Sequence, residues 1–503
     1  MIADVIRRLL PWLLGCLLVA AACAVGAVYW LLSGDGIRLA LEQQASTHLG
    51  TPVHIGSVTA QFYPRIGVHM DSVTIGDPTS ITLASVALST GLRNLLSRRI
   101  DDAEVAIADS RLELPLPVAL KINPVDFPDT SPASSGLTVG SIRDISLRNV
   151  TFASRGRDVT VSARSSLAGG TLTLSSMSVT AAGTTITAGG TITLAPVIDA
   201  AITASAARLN LDDLVALAAA FAPPSAPNQS AAAPQAFTGR ITAQISAEQA
   251  TAAGLEMQGL TTVVRVIGSR LSLSPTQFRV FGGRYDGDVD VDLRDDTSMK
   301  ITSHFTALDA AQLAAFGGAE GSITGRLTAN GTVTGRGNDF SSILASARGM
   351  GNITVTDGSI HRLDLVRTVI VFFGRPATAS PPTTDKFSRI DSRISIGNGV
   401  VSADAFSLRS PDADMVGQGT IALDTKAIDG RVDLSLSEDL SKEAGTDLAR
   451  YTRDGNRIVL PARLGGTLGN PRLSIDAASA VKRGLRNELD RRMRGLLDRF
   501  KTP

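Results

Sequence analysis

YDGDVDVDL, residues 285–293, alternates acidic and aliphatic side chains with a period of two. In an extended chain successive side chains point to opposite faces of a sheet. Asp286, Asp288, Asp290 and Asp292 therefore share one face, and Val289, Val291 and Leu293 share the other. RVDLSL at 431–436 divides the same way, with Val432, Leu434 and Leu436 opposed to Asp433 and Ser435. One wet face and one apolar face is the signature of an antiparallel sheet with a single buried side. A second sheet, a closed barrel, helical inserts or a non-protein apolar ligand would each supply the missing cover.

The same period continues outward in both directions, through 136–152, 171–194, 238–245, 271–293, 322–334, 351–356, 393–408 and 430–437. Gly and Asn-Gly punctuate it, and turns are predicted at 330–331 and 397–399. At ordinary strand lengths the chain holds about 20 strands. Helical spacing appears at 35–49, where Ile37, Leu41, Ala45 and Leu49 fall on one face. It returns in three short inserts at 210–221, 308–316 and 363–373, each containing a Leu-Asp pair whose carboxylate suits a helix N-terminus. Residues 477–500 form an amphipathic helix whose second face is basic and carries Arg486, Arg491 and Arg494. That face reads as the solvated side of a helix capping the sheet, or as a contact for anionic lipid or a partner protein. Segments 121–136, 223–236 and 374–384 are rich in Pro, Ser and Ala and are predicted loops.

Leu9 to Leu32 is a run of 24 residues without a charge, preceded by Arg7 and Arg8 and closed by Tyr29 and Trp30. About 20 apolar residues cross a bilayer. Small residues at 20–24 admit a signal-peptide cut, and Cys23 a lipoprotein site, but the apolar run continues past both. The span is read as a retained single-pass anchor, with the N-terminus cytoplasmic and residues 33–503 on the far side. The expected organisation is an anchor over 1–33, β regions over 34–222 and 237–476 joined by the 223–236 loop, and the basic helix over 477–503.

Composition removes several classes of function. With 48 Lys+Arg against 47 Asp+Glu the chain has no field to hold nucleic acid. Hydrophobic residues at 44% against 19% charged exclude a disordered protein. The two cysteines, Cys16 and Cys23, both lie in the apolar span, which leaves neither a disulfide framework nor a thiolate metal site downstream. The four aspartates at 286–292 do not form a calcium loop, because Val291 stands where that loop needs Gly and Thr297 where it needs Glu. The five histidines lack metal spacing, and no nucleophile elbow or phosphate-binding glycine loop occurs. Neither enzymatic chemistry nor a cofactor is expected.

Four stretches resemble the AsmA family of bacterial envelope proteins, related to TamB- and YhdP-type bridge-like lipid transfer proteins. They are IRLALEQQASTHLGTPVHIGSVTAQFYPRIGVHMDSVTIGD (37–77), FRVFGGRYDGDVDVDLR (278–294), MGNITVTDGSIHRLDL (350–365) and LPARLGGTLGNPRLSID (460–476). The resemblance implies a mainly β protein: an N-terminal transmembrane helix, then an elongated, mostly antiparallel, taco-like sheet with short helical inserts and a C-terminal amphipathic helix. It implies anchoring in the inner membrane with the bulk in the periplasm. Phospholipid would be the partner, with another envelope protein possible at the terminal helix. Ile241, Leu271, Leu273, Val289, Val291, Leu293, Ile353, Val355, Ile394, Ile396, Val432, Leu434 and Leu436 would line the apolar groove. Asp288, Asp290 and Asp433 would face water. A non-enzymatic assembly factor or scaffold for outer-membrane protein insertion is the alternative function.

Overall fold

The sheet expected from the alternating pattern dominates the computed structural model. It describes residues 35–61, 65–76, 81–91, 99–114, 138–139, 141–194, 196–221, 237–294, 297–337, 340–361, 384–443, 453–454 and 457–476, with single positions 363, 368, 478, 479, 482 and 493. Among these residues no helix is long and apolar enough to cross a membrane. The expected span at 9–32, nearly all of the 363–373 insert, and Arg486, Arg491 and Arg494 lie outside them. The chain divides into two compact units, the first ending at Gly254 and the second beginning at Leu255, apart from residues 231–237, which group with the second.

In unit 1, helix α1 (Asp35–Leu49) precedes strands β1 (Val53–Gln61), β2 (Ile66–Ile75) and β3 (Ile81–Thr90), which pair antiparallel. The helical stripe is used as predicted: Leu41, Ala45 and Leu49 pack on Val53, Ile55 and Val73. The same helix also caps the outer edge of β1. The Ile55 N–H donates to Glu42 Oε1 at 2.7 Å and the Val53 N–H to Ser46 Oγ at 2.9 Å. Those groups would otherwise be a free sheet edge, open to pairing with another chain.

A short parallel pair, β4 (Arg99–Ile100) with β7 (Thr138–Val139), lies apart from the main ladder. β5 (Ala103–Ala108) and β6 (Arg111–Leu114) extend β3 and run parallel to β8 (Ser141–Ser154). β9 (Arg157–Ala168), β10 (Thr171–Ala181), β11 (Thr184–Thr193) and β12 (Ile198–Asn210) follow as an antiparallel meander. Helix α2 (Leu211–Phe221) then leads to β13 (Phe237–Ala252), which lies parallel to β12. That pairing keeps β13 in unit 1, on the near side of the division. Asn210, one residue before the Leu-Asp pair, supplies the α2 cap by accepting from the N–H groups of Asp212 and Asp213 at 3.0 and 3.2 Å. Asp212 instead accepts from the Ala253 N–H at 2.8 Å, beyond the crossover.

Unit 2 is a plain antiparallel meander: β14 (Leu255–Gly268), β15 (Arg270–Val280), β16 (Gly283–Asp292), β17 (Ser298–Asp309), β18 (Arg326–Arg336), β19 (Arg348–His361), β20 (Thr384–Gly397), β21 (Val400–Arg409), β22 (Ala413–Ala422) and β23 (Ile428–Leu436). The short β24 (Arg453–Asp454) precedes β25 (Arg457–Thr467), which pairs with β23 and then with β26 (Asn470–Ile475). Helices α3 (Ala310–Phe316), α4 (Phe340–Ala345) and α5 (Glu438–Glu443) interrupt it. Here the predicted cap holds: Asp309 accepts from the N–H groups of Ala311 and Gln312 at 2.8 and 3.2 Å. Leu308 stays in β17, buried, so this insert starts two residues later than its hydrophobic pattern suggested.

Two expectations need correction. The described residues carry 26 strands, more than the predicted number, because several are very short pieces of broken pairings. Asn330-Gly331 is not a turn but the middle of β18, where Gly331 faces Gly351. A Cβ on Gly331 would stand 2.9 Å from the Met350 carbonyl oxygen, so this glycine serves close backbone approach. The other predicted turn forms as expected: Asn398 (φ 53°) and Gly399 (φ 73°) take the left-handed conformation that a two-residue hairpin requires.

Candidate functional site

Strand register places the apolar side chains of unit 2 in rows across the sheet. One row runs Val264, Leu273, Val289, Ile301, Val333, Gly349, Ile396, Val401, Ile421, Ile428. Nearer the strand ends a shorter row runs Val266, Leu271, Val291, Met299. The large side chains in both rows are half-buried. Met299, Ile301 and Val333 were not among the predicted lining residues, although the alternation in MKITSHF at 299–305 was available to place them.

Further along the strands the same face closes. Leu327, Val355, Ile390, Leu408, Met415, Leu434 and Leu460 form a registered row. They belong to one packed cluster in which Met415, Leu434, Leu436 and Leu460 have no exposed surface at all. Val355, Val432, Leu434 and Leu436, predicted to line an open trough, are therefore core residues. Alternation in sequence selects the face of the sheet; facing strands decide whether that face is sealed. Ile353 packs against the edge of this cluster, while Ile394 and Ile396 are half-buried. Leu293 stands past the end of β16 and is 45% exposed.

Between the open rows and the core lies an aromatic step. Phe278 and Tyr285 stack with centroids 4.4 Å apart, and Tyr285 meets Phe305 at 5.0 Å. The Tyr285 ring lies over Gly287, where any Cβ would collide with its hydroxyl. The aromatics were visible in the sequence, but only the register brings three neighbouring strands' rings together.

The acidic face is wet, as predicted, and its charges are engaged. Asp286 pairs with Arg284 at 3.1 Å, and Asp288 accepts from Ser274 Oγ at 2.5 Å. The Arg294 guanidinium, hydrogen-bonded to Asp292, pulls that carboxyl down to about 2. Asp290 is exposed and Asp433 half-buried. A concavity of about 1140 Å³ lies at these strand ends, lined by Arg265, Arg270, Asp290, Lys300, Arg336 and Arg348 together with Leu271, Val291 and Met299. Its charged walls suit polar contents, and for hydrocarbon the half-buried aliphatic rows, the shorter of which borders this concavity, are the better candidate site. Among the described residues no group of His, Cys, Asp or Glu is arranged to hold a metal ion.

Unit 1 carries its own apolar row: Ile142, Leu167, Leu172, Ile192, Ala200 and Ile241. Ile241 is half-buried there, and it is the predicted lining residue that belongs to this unit.

The AsmA family's sequence model matches residues 202–406. Residues 202–406 are AsmA-like. The AsmA-like segment starts within β12, ends within β21, and contains two of the four stretches that carried the resemblance, 278–294 and 350–365. It holds the open rows around Val289 and Val291 and stops before the sealed strands that carry Val432, Leu434 and Leu436. No curated protein and no solved structure matches the chain.

Proposed function

We propose that this AsmA-like chain is a non-enzymatic lipid-handling protein, anchored in the inner membrane, whose periplasmic apolar face binds phospholipid acyl chains and helps move them between membranes in support of the outer membrane. The observation that carries the reading is the pair of aliphatic rows through Val289 and Val291, left half-buried on a face that is sealed a few residues further along. Each methylene withdrawn from water contributes about 0.8 kcal/mol, so an acyl chain laid along such a row replaces a large hydration cost. The AsmA match over residues 202–406 supports an envelope role.

Native mass spectrometry of the chain purified from cells, followed by lipid extraction, tests the reading. Phospholipid is expected in at least equimolar amount with the chain and in excess over an unrelated protein that carries a single apolar anchor. A lipid-free preparation with a cooperatively folded body would overturn it. The sealed core of the later strands would then favour the second reading, a scaffold that influences outer-membrane protein insertion.

A further inference from the structure

On the polar face of unit 2, where β17, β18 and β19 lie side by side, three cations surround one threonine. Thr334 has Lys300 directly across on one neighbouring strand and Arg348 directly across on the other. Arg336 follows two residues along β18 on the same face. Direct cross-strand partners stand about 5 Å apart and diagonal ones about 7–8 Å, so Arg336 is within side-chain reach of both other cations. All three are exposed, and with Thr334 and Ser346 they line the concavity of about 1140 Å³. Ser346 fixes the backbone beneath Arg336: its Oγ accepts from the Arg336 N–H at 2.7 Å and donates to the Arg336 carbonyl at 2.6 Å.

Sheets ordinarily set opposite charges in such positions, because like charges there are destabilising. Here the acids are too few. β18 has none, and β19 has none before Asp357. The row through Thr334 runs Arg265, Ser272, Asp290, Lys300, Thr334, Arg348, with Asp290 its single acid. Asp292, next along β16, is held by Arg294. Among the described residues the side chains of Lys300, Arg336 and Arg348 make no hydrogen bond or ion pair.

We propose that this corner of the concavity binds the phosphate group of an anionic ligand. Two guanidiniums and an ammonium suit a tetrahedral dianion: each arginine offers a planar fork to a pair of phosphate oxygens, and the lysine a point charge. A lone carboxylate would satisfy one fork and leave the rest unmatched. The concavity is larger than a bare ion needs and has room for the organic part of a phosphate ester. A soluble phosphate ester and a phospholipid head share this chemistry. The cations stand on the face opposite to Val289 and Val291, which favours the solute.

Calorimetry on the full-length chain in phosphatidylcholine nanodiscs, with glycerol 3-phosphate as the probe, tests the site. Wild type is expected to bind it, and R336Q/R348Q to bind about tenfold more weakly or worse, since two charge-assisted contacts are lost, with circular dichroism unchanged. If glycerol 3-phosphate does not bind but R336Q/R348Q yields about tenfold less phospholipid on extraction from cells, the phosphate belongs to a lipid head. Equal probe binding by the variant and wild type would overturn the proposal. So would no probe binding together with unchanged phospholipid recovery, and in a lipid-carrying chain that result defeats the phosphate site alone. A wild-type chain that binds the probe but carries no lipid defeats the lipid-binding reading alone. V291D is expected to lose lipid and keep the probe.

Discussion

Val291→Asp is expected to empty the chain of lipid without unfolding it. Val291 lies between Leu271 and Met299 in the row nearest the strand ends and is half-buried, so a carboxylate there keeps access to water while no acyl chain is present. With lipid in place the charge meets hydrocarbon. Placing an Asp in a hydrocarbon setting costs about 3 kcal/mol on insertion scales, which corresponds to roughly a hundredfold loss of occupancy. Asp290→Ser, one residue away and on the exposed polar side, is expected to leave lipid content unchanged. Lipid extraction and thermal unfolding of both variants check this. Equal loss in the two would contradict the two-faced sheet.

Leu434→Asp should do something different, although its sequence context looks the same. Leu434 has no exposed surface and sits between Met415 and Leu460 in the sealed cluster. Truncating such a side chain costs about 2–5 kcal/mol, and burying an unpaired charge adds several kcal/mol more. Against a typical domain stability of about 5–15 kcal/mol, unit 2 is expected to lose its cooperative unfolding transition. Amide exchange across β22, β23 and β25 reports this directly. A Leu434→Asp chain that unfolds like wild type yet lacks lipid would mean that these strands are open.

The contrast between Val291 and Leu434 marks how far the residue pattern alone could be read. Both lie in strict polar–aliphatic alternation, and the face each occupies was legible from that period. Whether the face is shut depends on partners far away in sequence, such as Leu408 and Ile458 around Leu434, and no local pattern carries that. Local chemistry was read correctly where one residue decides the geometry: Asp309 caps α3, and Asn398-Gly399 turns the β20–β21 hairpin. It failed at Asn330-Gly331, because glycine marks close backbone approach in a strand as readily as it marks a turn. The aromatic step of Phe278, Tyr285 and Phe305 escaped notice because its members come from three strands and meet only through register.

The central claim is that acyl chains lie on one face of the unit 2 sheet and not on the other. Photo-crosslinking in cells tests it most directly, with a benzophenone amino acid placed singly at Val289, Asp290, Val291 and Lys300 of the full-length chain. Lipid adducts detected by mass are expected at Val289 and Val291 and absent at Asp290 and Lys300, which lie opposite each other on the polar side. Adducts of equal strength at all four positions, or at the polar pair alone, would contradict the account.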